Sequence, residues 1–139
     1  MIGDKVQKAF NEQIKHELES AYIYLSMSAY FEAEGLKGMA HWMRVQATEE
    51  EAHAMRFFKH INERGGRVML ADLKQLKTDW SSPIEAWRDA YEHEQFITGK
   101  INDLVKLSAA ESDYAAGVML NWFVEEQVEE EEQTLEVVQ

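Results

Sequence analysis

Pro83 is the only proline in 139 residues, and on both sides of it apolar residues recur at helical spacing over long stretches. From about Lys5 to Glu34 they are Val6, Phe10, Ile14, Leu18, Ala21 and Leu25. Gly35-Leu36-Lys37-Gly38 makes a short turn, and a second run from about Gly38 to Arg64 carries Trp42, Val45, Phe57 and Ile61 before ending at Gly65-Gly66. Between Arg67 and Ser81 the period fades, over too many residues for a tight turn. Ser82 as N-cap, Pro83 at the first helical position and Glu85 completing a capping box then start a third run. It passes Trp87, Tyr91, Ile97, Ile101 and Leu104 to about Glu111, and Ser112-Asp113 caps a fourth with Leu120, Phe123, Val124 and Leu135. The expectation is an all-α single domain over residues 1–139: four helices, up-down, with one long crossover between helices two and three. The first helix would span ~45 Å and the last ~40 Å, a nearly matched bundle.

Charge then narrows the function. Net charge is −12, from 26 acidic and 14 basic residues, which speaks against nucleic acid as a partner because phosphate recognition needs a basic surface. No apolar run approaches a membrane span, and Met1-Ile2-Gly3-Asp4-Lys5 has no signal-peptide stretch, so a cytoplasmic location without membrane contact is expected. Zero cysteines remove disulfides, thiolate zinc sites and iron–sulfur ligation.

What is unusual is where the carboxylates fall. Glu17 shares a stripe with Phe10, Ile14, Ala21, Tyr24 and Leu25, whereas Glu12 and Glu19 point elsewhere. Glu94 lies between Trp87, Ala90 and Tyr91 on one side and Ile97 and Ile101 on the other. Glu50 and His53 continue the line of Trp42, Gln46, Phe57 and Ile61; no other histidine here has a glutamate three positions before it. Gln127 and Glu130 lie on the stripe of Leu120, Phe123 and Val124. An unpaired buried carboxylate costs several kcal/mol or takes a proton, and several converging ones with no lysine or arginine among them repel. A multivalent cation resolves both problems, and oxygen ligands with an imidazole suit iron or manganese. Two metals bridged by a shared carboxylate match the ligand count, because di-iron bundles take a glutamate from each of two helices and Glu-x-x-His from the other two. Helix four offers Gln127-x-x-Glu130 instead, so one metal position lacks a histidine and should bind more weakly, as suits a site that takes up and releases iron.

Ser20-Ala21-Tyr22-Ile23-Tyr24-Leu25-Ser26-Met27, His41-Trp42-Met43-Arg44, Glu63-Arg64-Gly65-Gly66-Arg67-Val68, Tyr91-Glu92-His93-Glu94 and Glu125-Glu126-Gln127-Val128-Glu129-Glu130 span almost the whole chain. In these stretches, and in Gly35-Leu36-Lys37-Gly38, the sequence resembles the non-haem ferritins of bacteria and archaea. That resemblance implies a ferritin-like four-helix bundle with a ferroxidase centre of two irons, oxidising Fe(II) with dioxygen and storing ferric mineral inside a homo-oligomeric shell, a 24-mer in the family. By position it implies Glu17, Glu50 and His53 around the first iron and Glu50, Glu94 and Glu130 around the second, with Gln127 as an outer ligand or hydrogen-bond partner. It places a third iron site on Glu49, Glu126, Glu129 and Glu130, and an electron-supplying tyrosine at Tyr24. Glu51 stands where bacterioferritins carry a haem-ligating methionine, so haem is not expected. The family's short fifth helix is absent and the chain ends at Leu135-Glu136-Val137-Val138-Gln139 without a C-cap, which reads as a C-terminal truncation. A truncated or engineered bundle with altered assembly, keeping iron binding and oxidation but not storage, is therefore the alternative. A di-iron peroxidase of the rubrerythrin kind is the neighbouring enzyme reading, and zero cysteines argue against its usual electron-transfer module.

The remaining signals have plainer readings. His16 and His93 are expected at the surface or an interface; Met27, Met39, Met43, Met55 and Met119 as core filler; Trp42 and Trp122 as packing residues; and part of Glu129 to Glu132 as solvated charge.

Overall fold

A computed structural model describes residues 1–139. Four helices account for most of the chain: α1 (Asp4–Ala33), α2 (Lys37–Glu63), α3 (Pro83–Ala110) and α4 (Tyr114–Val138), with no strand. α1 packs on α2, α3 on α4, and α1 on α3. The extended connection between α2 and α3 carries the chain across to the second pair, giving the expected bundle with one crossover.

Capping explains the helix starts. The Ser82 hydroxyl accepts from the Glu85 amide with Pro83 following it, but Glu85 spends its carboxylate on Arg88, so the expected capping box forms only in half. At α4, Asp113 accepts from the Ala116 amide at 3.1 Å, while Arg64 Nη1 donates to both its carboxylate oxygens at 2.8 Å. Arg64 thus stitches the end of α2 to the start of α4, and the Ile2 amide, bonded to the Arg64 carbonyl at 2.9 Å, brings in the start of α1.

The crossover is held by one polar line on α1. Gln7 accepts from the Arg67 amide, Asn11 both donates to the Arg67 carbonyl and accepts from the Met69 amide, Glu19 accepts from the Lys74 amide, and Ser26 donates to the Lys77 carbonyl. Glu19 therefore turns away from the bundle interior, as its phase indicated, yet is only 7% exposed, because the crossover covers it. Gly65 turns the chain at φ 74°, and Gly66 lies so close to α1 that a Cβ would meet Gln7 Oε1 at 2.5 Å and Ile2 Cγ2 at 2.7 Å. Gly66→Ala must push Gln7 off the crossover. It should cost about 1–3 kcal/mol, read as a fall in melting temperature; an unchanged melting temperature would show that this close approach is not needed.

The stripes need three corrections. Leu25, Val45 and Val124 are exposed, at 50%, 46% and 39%, although the sequence put them on core faces. Each lies about 100° from a neighbour that does face inward: Tyr24, Gln46 and Phe123 take those places. Met55 is likewise exposed, while Met27 and Met43 fill the core as expected and Met39 and Met119 are partly buried against it.

The core falls into two apolar clusters. One holds Val6, Phe10, Ile14, Phe57, Ile61, Ile97, Ile101, Leu120 and Phe123; the other holds Tyr24, Met27, Phe31, Met43, Trp87 and Ala90. On α1 to α3 they are separated along the helix by Glu17, by Glu50 and His53, and by Glu94, and on α4 Gln127 follows directly on Phe123 at the edge of the first. A polar layer therefore divides an otherwise apolar bundle.

Candidate metal centre

All four helices contribute to that layer. Glu17 comes from α1, Glu50 and His53 from α2, Glu94 from α3, and Gln127 and Glu130 from α4; none is more than 3% exposed. Ligand atoms of Glu17, Glu50 and His53 lie within 4.8 Å of one another, and so do those of Glu50, Glu94 and Glu130. Glu50 belongs to both groups. The layer thus forms two adjacent three-ligand positions sharing one carboxylate, one position with a nitrogen and one without.

Within the layer, few groups balance the charge. His53 Nδ1 faces Glu50 Oε2 at 3.2 Å and Glu17 Oε2 at 3.7 Å, and it is the only base paired with the four glutamates. Glu17 Oε2 has no hydrogen-bond partner although fully buried, and Gln127 Oε1 is equally unpartnered. Such atoms cost roughly 1–3 kcal/mol each unless something fills the space they face, and an oxygen-seeking cation does so directly.

Electrostatics records the same strain. Burial, then the neighbouring Glu17, pushes Glu50 up to about 7. Burial and the charge of Glu50 raise Glu94 to about 8, and burial with Glu94 and Glu50 raises Glu130 to about 10. Burial works against charge on His53, but the negative carboxylates of Glu17 and Glu50, the latter at hydrogen-bond distance, outweigh it and hold the imidazolium up to about 11. Without metal the layer keeps itself near neutrality by holding protons. A metal ion entering must displace them.

The chain matches the ferritin-like domain model over residues 7–139. It is 44% identical to a bacterial non-heme ferritin of Bacteroides fragilis over 131 residues, covering 94% of this chain and 82% of that one. The chain belongs to the ferritin family. Among solved structures, an open-pore ferritin from the hyperthermophilic archaeon Archaeoglobus fulgidus superposes with a TM-score of 0.98 at 46% identity, covering 99% of this chain and 85% of that one. The ferritin of Chlorobium tepidum gives 0.96 at 37% identity.

Around the centre of this ferritin lie groups that the sequence singled out and others it did not. Tyr24 donates its phenolic proton to Glu94 Oε1 at 2.5 Å, at the edge of the buried layer. Gln127 Nε2 lies 3.1 Å from Glu94 Oε2 and 3.2 Å from both the Glu94 carbonyl and Thr98 Oγ1. Glu126 joins His53 and Glu130 in a further three-ligand group. Glu49 and Glu129, the other members of the expected third site, are exposed; Glu129 lines an open pocket with Trp122, Glu125 and Glu126. Glu49 is raised by partial burial and by Glu126, Glu50 and Glu129, which sets it near that group without joining it.

Two glutamines went unassigned in the sequence. Gln13 donates to Glu17 Oε1 at 3.0 Å, and Gln46 donates to Glu50 Oε1 at 3.0 Å and to Glu130 Oε2 at 2.5 Å. Both sit four residues before a glutamate of the buried layer, so Gln-x-x-x-Glu, repeated on α1 and α2, was the available signal. His16 and His93 are half-buried between α1 and α3 rather than at the surface: His93 Nε2 meets Ser20 Oγ at 2.6 Å, and burial, then His16 and Lys74, lowers it to about 4. Trp122 packs on His53 with ring centroids 5.3 Å apart, and the Arg56 guanidinium lies over the Trp122 ring at 3.5 Å.

Proposed function

We propose that this ferritin is a ferroxidase that takes Fe(II) as substrate at the two positions sharing Glu50, oxidises it with dioxygen, and passes Fe(III) into a mineral held by a homo-oligomeric shell in the cytoplasm. The observation that supports this reading most is the unpartnered Glu17 Oε2 beside His53 Nδ1 and Glu50 in a layer with a single counter-charge. A buried arrangement of this kind is incomplete as protein alone.

The residues divide the work. Glu17, Glu50 and His53 hold one Fe(II); Glu50, Glu94 and Glu130 hold the other. His53 must give up its proton to offer Nδ1, and Glu94 and Glu130 must give up theirs to bind as carboxylates. Two Fe(II) release one electron each, and dioxygen accepts the pair with two protons as hydrogen peroxide. Anionic oxygen ligands stabilise Fe(III) more than Fe(II), which makes the oxidation downhill. Gln46 holds Glu130 against Glu50 beforehand, so less reorganisation is left for binding. The second position has only carboxylates and holds its ion more loosely, which suits onward transfer through Glu130 toward Glu126 and Glu129.

The test adds Fe(II) anaerobically at two per chain, then admits air, following dioxygen uptake, ferric absorbance and light scattering together. Rapid uptake with a ferric product retained in a multi-subunit particle is expected. Oxidation without retained mineral would leave the oxidase and remove the store; no dioxygen uptake above that of free Fe(II) would end the reading.

A further inference from the structure

Two half-buried polar residues, Thr98 and Glu131, border the buried layer where α3 packs on α4. Thr98 lies four residues after Glu94 on α3, and Glu131 lies four residues after Gln127 on α4. Each pair shares one helix face, and the two faces meet.

Hydrogen-bond direction runs one way around this square. Thr98 Oγ1 is 2.6 Å from Glu131 Oε2, and a carboxylate only accepts, so Thr98 spends its single proton there. Toward Gln127 Nε2, 3.2 Å away, Thr98 can then only accept. The other amide proton of Gln127 goes to Glu94, whose Oε2 lies at 3.1 Å and whose carbonyl lies at 3.2 Å. Both protons of the amide are thereby placed, and its oxygen is left over. Of the three buried glutamines, Gln127 is the one whose Oε1 is sealed from solvent without a partner.

Local preference alone would not produce this. Ser20, Thr48 and Thr134 each donate to the carbonyl four residues back, at 2.9, 3.3 and 3.0 Å, the ordinary habit of a helical hydroxyl. Thr98 instead reaches across to α4, and the carbonyl four residues behind it receives from Gln127. Turning the amide end for end would set Oε1 against the Glu94 carbonyl, Glu94 Oε2 and a hydroxyl with no proton left to give. Glu131, acting through Thr98, therefore decides which end of Gln127 is free. The free end belongs to an amide that touches Glu94, one of the three carboxylates of the second metal position.

We propose that Thr98 and Glu131 are positioning residues for the second iron, holding Gln127 so that its carbonyl oxygen is kept free for the ion. This rests on the reading of Glu50, Glu94 and Glu130 as a metal position. An amide oxygen adds a neutral donor to three carboxylates. It strengthens Fe(II) binding without adding charge that would retain Fe(III), as suits a position that passes its ion on.

Four variants test the chain of bonds. Thr98→Val keeps the shape but removes the acceptor for the Gln127 amide, and Thr98→Ser restores it. Glu131→Leu removes the acceptor for the Thr98 proton, and Glu131→Gln keeps an oxygen there. Each is titrated with Co(II) by calorimetry and visible absorption, and the binding step lost in Glu94→Ala marks the second position. Thr98→Val and Glu131→Leu should weaken that step by about 10–100-fold and alter its Co(II) spectrum, with the other step unmoved. Thr98→Ser and Glu131→Gln should return both readings toward native. If Thr98→Val does not fold, the half-buried Glu131→Leu carries the test. A second step unchanged in both lesions overturns the proposal, and so does equal weakening of both steps, which would make these residues only a fastener between α3 and α4. A native chain that binds Co(II) as described but takes up no dioxygen with Fe(II) removes the ferroxidase reading and leaves the positioning; dioxygen uptake with a second step indifferent to Thr98 does the reverse.

Discussion

Replacing Glu50 with alanine should lower dioxygen uptake on Fe(II) addition by about 100-fold or more, because even partners one step removed from a metal are worth 10–100-fold. Glu50 is common to both three-ligand groups, so the change takes a ligand from both positions at once. It also frees His53 Nδ1 and Gln46 Nε2 from their shared carboxylate. Glu17→Ala and Glu94→Ala touch one group each and should be milder, leaving one Fe(II) bound per chain in anaerobic titration.

Alanine at a fully buried site also leaves a cavity, so Glu50→Gln is the needed companion. It keeps the volume, removes the charge, and leaves an amide oxygen able to accept from Gln46. The metal-free Gln variant should therefore melt within several degrees of the native protein, a difference of about 1 kcal/mol, yet oxidise iron as poorly as the Ala variant. Native-like oxidation in either variant would remove Glu50 from the role of shared ligand.

The phase of the carboxylates made most of this centre readable. Glu17, Glu50, His53, Glu94, Gln127 and Glu130 each interrupt an apolar stripe, and all six are buried in one layer. Helical spacing carries that information because a helix has one inward face, and a misplaced charge on it is visible at once. Spacing has little angular resolution at a stripe's margin, which is why Leu25, Val45 and Val124 were placed inward and are exposed. Burial by an irregular segment is invisible to it altogether: Glu19 and Trp80 are covered through a crossover without any period to read. The glutamines were missed for another reason. A neutral amide on an inward face is unremarkable until its partner is known, and Gln46 matters because it reaches from α2 across to Glu130 on α4.

The stability of the metal-free protein should fall as pH rises from 6.5 to 8.5, whereas that of the zinc-loaded protein should stay nearly level. Glu50, Glu94 and Glu130 are held at about 7, 8 and 10, all above the ordinary glutamate value of 4.5, so the folded protein keeps protons that the unfolded chain has already lost. His53, at about 11 against 6.5, adds to the same sign: its contribution is complete below 6.5 and is lost only as pH climbs through 11. Across the whole window the folded state therefore binds more protons than the unfolded one. Each excess proton lowers stability by about 1.4 kcal/mol per pH unit, several degrees of melting temperature for a protein of this size. Zn(II), which neither oxidises nor is oxidised here, replaces those protons, and its affinity grows as they become easier to remove. Calorimetric melts in chelator and in excess Zn(II) should thus diverge steadily with pH, and adding Zn(II) at pH 7 should release protons into a weakly buffered solution. A metal-free melting temperature that is flat or rising over this range would mean that the layer is not holding protons in place of cations.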